Sequence, residues 1–414
     1  VTSSTLSKGA ATGALLSLAI GSFGIGMTEF TIMGLLPNIA AELLPAQWAA
    51  SQEDAIAQAG WLISLYALGV VVGAPTIAGS VARFPRHRVM VCLALALTVF
   101  TAFTVVAPSF GLVAASRFLA GLPHGAYFGI GALVAADVLG PGKRAKGVAF
   151  VLTGLTIANV VGVPLGTFLG QQFGWRTAFA VVAGIFALAT VAILVFVPRA
   201  PGQPGRTLRA ELGVFRIPQV WFALATGAIG FGGFFAVYSY VAPMVTEVAG
   251  SPAWVVPIVL VVVGLGMTFG NLVGGHLADV DLRRTVLGGL LLLAIVLAAL
   301  ALTAQWIVLL ALFGFGVGFV SSALSPAIQT RLMDVSADNQ SIAAALNHSA
   351  LNIGNSLGAF LGGVVIALGW GYVAPAWVGG LLALAGLAIA LVSYRLPDRS
   401  QTLAGHRSEP LPFD

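Results

Sequence analysis

Apolar residues in this chain come in long runs, broken by short polar segments at nearly regular intervals. Crossing a hydrocarbon core of about 30 Å takes about 20 apolar residues in an α-helix. Twelve runs meet that length: 12–36, 57–81, 89–107, 110–138, 146–170, 177–197, 218–245, 253–277, 285–304, 306–330, 342–367 and 372–394. The longest polar stretch between them, PRAPGQPGRTLRAELGVFRIP at 198–218, holds four arginines and lies near the midpoint. The pattern predicts an all-α membrane protein in two six-helix halves, residues 1–197 and 218–396, with a linker over 198–217 and a tail over 397–414.

Composition agrees. The chain is 58% hydrophobic and 8% charged, with a mean hydropathy of +1.00, whereas soluble domains carry about 25% charge. The first apolar run is long and followed by many others, so it reads as a span and not as a cleaved signal. Lysine and arginine fall on one side of the predicted spans: Lys8, Arg83, Arg86 and Arg88, Lys143 to Lys146, the linker arginines, Arg283, Arg284, Arg331 and the tail. The other side has Arg176 among Glu42, Glu53, Asp54 and Glu247. By the positive-inside rule both termini, the linker and the tail are cytoplasmic, in a multi-pass protein of the plasma membrane. This asymmetry accounts for the net charge of +5, so no nucleic-acid partner is expected. The single cysteine, Cys92, excludes an internal disulfide. No metal-ligand spacing, phosphate loop or nucleophile constellation stands in the sequence. Neither an enzyme nor a cofactor is expected, and an ion gradient is the expected energy source.

The halves repeat. Gly79–Arg88 (GSVARFPRHR) follows the second run and Gly275–Arg284 (GHLADVDLRR) follows the eighth, a displacement of 196; the same displacement carries Asn159, Gly162 and Gly166 onto Asn355, Gly358 and Gly362. Six plus six spans related in this way place a substrate site between the halves, near the bilayer midplane.

These residues resemble the major facilitator superfamily. Gly275 to Asp279 with Arg283 and Arg284 resembles its cytoplasmic loop signature, and Arg117 to Gly121 (RFLAG) its fourth-helix arginine motif. Gly154 through Asn159, Gly162, Pro164 and Gly166 resembles the fifth-helix motif of its antiporters. The stretches 26–40, 121–136 and 162–179 look like the drug:proton antiporters of the arabinose-efflux and chloramphenicol-resistance type. The first-half loop departs from the signature with Arg83 in place of aspartate, and the fifth-helix motif reads Gly-Val-Pro. The resemblance implies a proton-coupled antiporter working by alternating access on a small molecule, as a monomer in the bilayer.

Ionisable residues inside membrane spans are costly and mark function. Glu29, on the first span, and Arg117, on the fourth, lie at similar depth at 1.5 Å per residue. We expect the two to interact, with Glu29 exchanging protons as water or substrate moves between them; a permanent structural ion pair is the alternative. His124, seven residues after Arg117 and on its face, titrates near ~6.5 when unperturbed. It reads either as a second proton carrier or as a packing residue at the Pro123 kink. Phe234, Tyr238 and Tyr240 on the seventh span, Ser325 on the tenth, His348, Asn352 and Asn355 on the eleventh, Asn159 on the fifth and Asn271 on the eighth are the candidate substrate surface. An aromatic wall with scattered amides suits an amphipathic organic solute, such as a drug or a sugar- or nucleoside-like metabolite. A phosphate would call for several convergent cations.

Gating is expected at two features. Gly154, Gly162, Gly166 and Gly170 give the fifth span a small-residue face, and Gly354, Gly358 and Gly362 do the same on the eleventh; with Pro164 of the same motif they are read as a sliding surface between halves. On the cytoplasmic side, Gly79 with Arg83 and Gly275 with Asp279, Arg283 and Arg284 form matching loops. Asp279 is expected to meet the basic start of the fifth span, and Arg83 to meet Asp338 at the start of the eleventh. Export is the leading expectation, and import or facilitated passage of a small metabolite is the alternative.

Overall fold

A computed structural model describes residues 8–81, 84–140, 144–199, 216–336 and 340–396. Twelve of its helices are long and apolar enough to cross a membrane. The first half holds α1 (Lys8–Gly34), α2 (Trp61–Val81), α3 (Arg86–Val106), α4 (Phe110–Leu139), α5 and α6 (Trp175–Phe196). Within α5, Arg144–Ile157 passes through a π-helical turn, Ala158–Gly162, into Val163–Phe173. The second half holds α7 (Pro218–Tyr238), α8 (Val255–Val280), α9 (Leu282–Thr303), α10 (Ile307–Val335), α11 (Gln340–Ala367) and α12 (Ala374–Ser393).

Two predicted runs, the second and the seventh, are interrupted, and the first ends two residues early. The first ends at Gly34, and the chain turns at Leu35 into a short helix, Leu36–Leu43, with Pro37 in its first turn; the proline ring and its missing N–H prevent continuation of the preceding helix. The second is preceded by a separate helix, Gln52–Ala59, that breaks at Gly60. The seventh stops at Tyr238 and resumes at Val241, because Pro243 cannot donate to the carbonyl four residues earlier.

The repeat is visible as packing. On α2, a methyl added to Gly69 or Gly73 would overlap the carbonyl oxygens of Phe118 and Leu122 on α4. On α8, Gly266 and Gly270 stand in the same relation to Phe315 and Phe319 of α10. Each of these four positions in the second half, Gly69 to Gly266 or Phe118 to Phe315 for example, lies 197 residues beyond its mate. Such backbone-to-backbone approach is how small residues bind helices where lipid supplies no hydrophobic drive.

The glycine faces of α5 and α11 lie elsewhere than expected. Gly154, Gly162, Gly166 and Gly170 pack on α1, against Ala19, Phe23, Met27, Thr31 and Leu35. Gly354, Gly358 and Gly362 pack on α7, against Ala228, Gly232, Ala236 and Tyr240. Both faces bind helices within one half. They are not sliding surfaces between halves, because the close approach that glycine permits is spent on a fixed neighbour.

The halves meet mainly toward one end, where α1 ends and α2 begins. There Trp61 meets Phe360 edge to face at 5.2 Å, the Ser64 hydroxyl donates to the Ser356 carbonyl at 3.2 Å, and Gln171 Nε2 donates to the Ala253 carbonyl at 3.0 Å. Tyr240 is fully buried, donates to the Ala359 carbonyl at 2.6 Å, and fills the space left by Gly60 and Gly363. None of these contacts lies toward the opposite, open end.

Candidate functional site

Midway along the bundle, charged and aromatic groups from α1, α2, α4, α7 and α11 converge. Glu29 is the one buried carboxylate among the described residues, 6% exposed. Its Oε1 accepts from Asn355 Nδ2 at 3.0 Å, a hydrogen bond that crosses from the first half to the second. The sequence repeat found Asn355 without revealing this partner. Its Oδ1 has no partner among the described residues, nor has that of its repeat mate Asn159.

Arg117 is 1% exposed, so it does not snorkel to an interface. Nη1 donates to Thr28 Oγ1 at 3.0 Å, and the guanidinium lies over the Tyr66 ring at 4.1 Å and near Phe179 at 5.6 Å. Neither Nε nor Nη2 has a partner among the described residues. Glu29 and Arg117 form no ion pair in this structure. The depth match was correct, but depth leaves azimuth open, and Thr28, one residue and 100° away, takes the contact. A buried, unpaired charge costs several kcal/mol, and cation–π contact recovers about 2 kcal/mol when desolvated.

His124 hangs on the same network: the Tyr66 hydroxyl and His124 Nδ1 are hydrogen-bonded at 3.0 Å. Its ring meets Phe128 edge-on at 5.4 Å, and Phe128 stacks on His348 of the other half at 5.2 Å and 3°. Asn352 Nδ2 donates to the carbonyl of His348 one turn earlier at 3.0 Å. Thus Tyr66 carries Arg117 on its face and His124 on its hydroxyl. Sequence reading missed it, because one tyrosine in an apolar run carries no spacing signal.

The aromatic wall is present, with Phe30 of α1 joined to it. Phe234 stacks on Tyr238 at 4.9 Å, and Phe30, next to Glu29, meets Tyr238 at 5.8 Å and Phe235 at 6.5 Å. The Tyr238 hydroxyl is buried without a partner among the described residues.

Other candidates lie outside this cluster. Tyr240 belongs to the closed end, for the reasons given above. Asn159 lies in the π-helical turn, where its carbonyl receives Gly264 of α8. Asn271, seven residues after Gly264 and so on the same helix face, is exposed about 10.5 Å nearer the open end. Ser325 is half-buried on α10 with no side-chain hydrogen bond among the described residues. Of the loop residues, Gly79 lies within α2, while Arg83 and Asp338 fall outside the described residues. Asp279 is exposed and in no ion pair among the described residues. Arg283 approaches the Tyr394 ring at 5.6 Å, and Arg284 pairs with Asp281 at 3.1 Å, which caps α9.

The profile of the Major Facilitator Superfamily matches residues 18–280 and 255–413. The chain belongs to this superfamily. It is 37% identical over 378 residues to the inner membrane transport protein YdhP of Escherichia coli K12, covering 91% of this chain and 94% of that protein. It is 31% identical over 385 residues to the chloramphenicol resistance protein of Streptomyces lividans, covering 91% and 95%, which bears out the resemblance to that antiporter type. In fold it is similar to the crystal structure of a D-xylose-proton symporter, with a TM-score of 0.72 at 16% identity, covering 94% of this chain and 98% of that one. Membership in the superfamily makes it a membrane transporter of twelve spans, acting on small molecules.

Proposed function

We propose that this transporter is a proton-driven exporter of small amphipathic organic compounds, with Glu29 as the proton-exchanging group. The observation that carries this reading is the one buried carboxylate among the described residues, held by a hydrogen bond from the opposite half. That bond couples the protonation of Glu29 to the meeting of the halves, because an amide N–H holds a carboxylate more tightly than a neutral acid. The wall of Phe30, Phe234, Phe235 and Tyr238 beside it suits a substrate with apolar or ring surface. Arg117 Nε and Nη2 have no hydrogen-bond partner among the described residues, so the guanidinium can receive Glu29 or a substrate oxygen when the halves rearrange. With both termini cytoplasmic, the open end faces the cytoplasm and the structure is the inward-facing form. One inward proton carries ~2.3 kcal/mol per 100 mV, enough for modest uphill export.

Purified protein in vesicles with an imposed pH gradient tests this, using a panel of chloramphenicol, sugars and nucleosides. Substrate is expected to move against the proton flux, and Glu29→Gln is expected to keep exchange but lose response to the gradient. Full gradient response in Glu29→Gln removes the proton role. Movement of substrate along with protons replaces export by import.

A further inference from the structure

A crevice of about 400 Å³ opens between the halves at their closed end, away from the Glu29 cluster. Asp54, Gln58 and Trp61 line it from the first half, and Phe360, Gly363 and Val364 from the second. Trp61 and Phe360 meet edge to face yet remain 47% and 39% exposed. Asp54 stands in the first turn of Gln52–Ala59, where its backbone N–H is capped by Ser51 Oγ at 3.2 Å. Its carboxylate has no ion pair or hydrogen bond among the described residues. The surroundings are acidic as well. Burial, and then the fields of Glu53 and Glu247, hold the Tyr372 phenol above its usual range. Arg176, the one basic residue described at this end, is bound to Glu42 at 2.9 Å.

We propose that this crevice binds a lipophilic monocation, an ammonium or phosphonium on an aromatic body, and that the bound cation holds the two halves together at their closed end. An unpaired carboxylate beside two aromatic faces is the chemistry that recognises such a cation, through charge and through the ring quadrupoles. The acidic end draws cations toward it. Because the walls come from both halves, the site is whole only while this end is closed. A ligand there favours the closed arrangement by its differential affinity and slows transport without entering the central cluster.

Equilibrium dialysis of tetraphenylphosphonium against the purified full-length chain tests this without any ion gradient, so the result is independent of the proton reading. Wild type and Glu29→Gln are expected to bind alike, Asp54→Glu to bind within a few-fold, and Asp54→Asn to bind about ten-fold more weakly, as loss of one close charge pair implies. Tetraphenylborate, of the same shape and opposite charge, is expected not to bind when dialysed alone. Undiminished binding by Asp54→Asn overturns the proposal, as does loss of binding in Glu29→Gln, which would place the cation at the central cluster. Should Asp54→Asn not fold, Gln58→Cys in a Cys92→Ser background gives a second reading. Tetraphenylphosphonium is expected to slow maleimide labelling there, and unprotected labelling overturns the proposal equally.

Discussion

Replacing Asn355 by leucine removes the donor that reaches Glu29 across the halves while keeping similar volume. A buried acceptor left without its hydrogen bond costs about 1–3 kcal/mol, and more when it is charged. The bond at 3.0 Å exists only where the halves meet, so its loss falls on one side of the conformational equilibrium. About 2 kcal/mol corresponds to a ~30-fold shift toward the form open at the Trp61–Phe360 end. Spin labels at Gln52 and Leu368, both exposed and on opposite halves at that end, read the two populations by electron–electron double resonance. Asn159→Leu is the internal control: Asn159 is the repeat mate of Asn355, yet among the described residues its amide oxygen has no partner and its side chain has no bond to a carboxylate. The effect should shrink to about 1 kcal/mol in a Glu29→Gln background, where the acceptor is neutral. Unchanged populations in Asn355→Leu, or an equal shift in Asn159→Leu, refute the reasoning.

Three further outcomes follow from the same contacts. Gly121→Ala places a methyl against the Tyr66 carbonyl and Gly69; it should lower the melting temperature by several degrees, whereas Gly184→Ala, with open space, should leave it unchanged. Tyr66→Phe removes the hydroxyl from His124 but keeps the ring under Arg117, so transport should fall only a few-fold; Tyr66→Leu, which exposes the guanidinium to apolar packing, should abolish it or the fold. Tyr240→Phe deletes the hydroxyl that lies where a methyl on Gly60 would go. Gly60→Ala should therefore fail alone and recover expression and transport when combined with Tyr240→Phe.

Hydropathy revealed the twelve spans because the signal accumulates over about 20 residues. The break at Ser239 went unseen, since Pro243 disturbs a helix without making it less apolar. Glu29, Arg117 and His124 were legible from cost alone: an ionisable group in a span stands out whatever it touches. Their partners were not. Thr28, Tyr66 and Asn355 are settled by azimuth and side-chain direction, and a one-residue offset turns a helix face by 100°. The glycine faces were read correctly as close-packing surfaces and assigned to the wrong neighbours, because spacing tells how near a helix can come and not which helix comes. The matching loops of Arg83 and Asp338 fall outside the described residues, and their pairing stays a proposal for charge exchange.

The two seams where the halves touch are unlike, although the repeat makes α5 the counterpart of α11. Along α5 and α8, Gly264 rests on the bare carbonyl of Asn159 within a π-helical turn, and a single side-chain hydrogen bond among the described residues, from Gln171 to the Ala253 carbonyl, joins the two sides. Along α2 and α11, the described part of α11 is regular helix, and side chains interlock through Trp61 with Phe360 and Ser64 with Ser356. A smooth backbone bearing turns easily and has little to break, whereas a latched edge has to let go. The opening of this end is then better pictured as a door than as a pair of jaws, hung on the α5–α8 side and unfastened on the α2–α11 side.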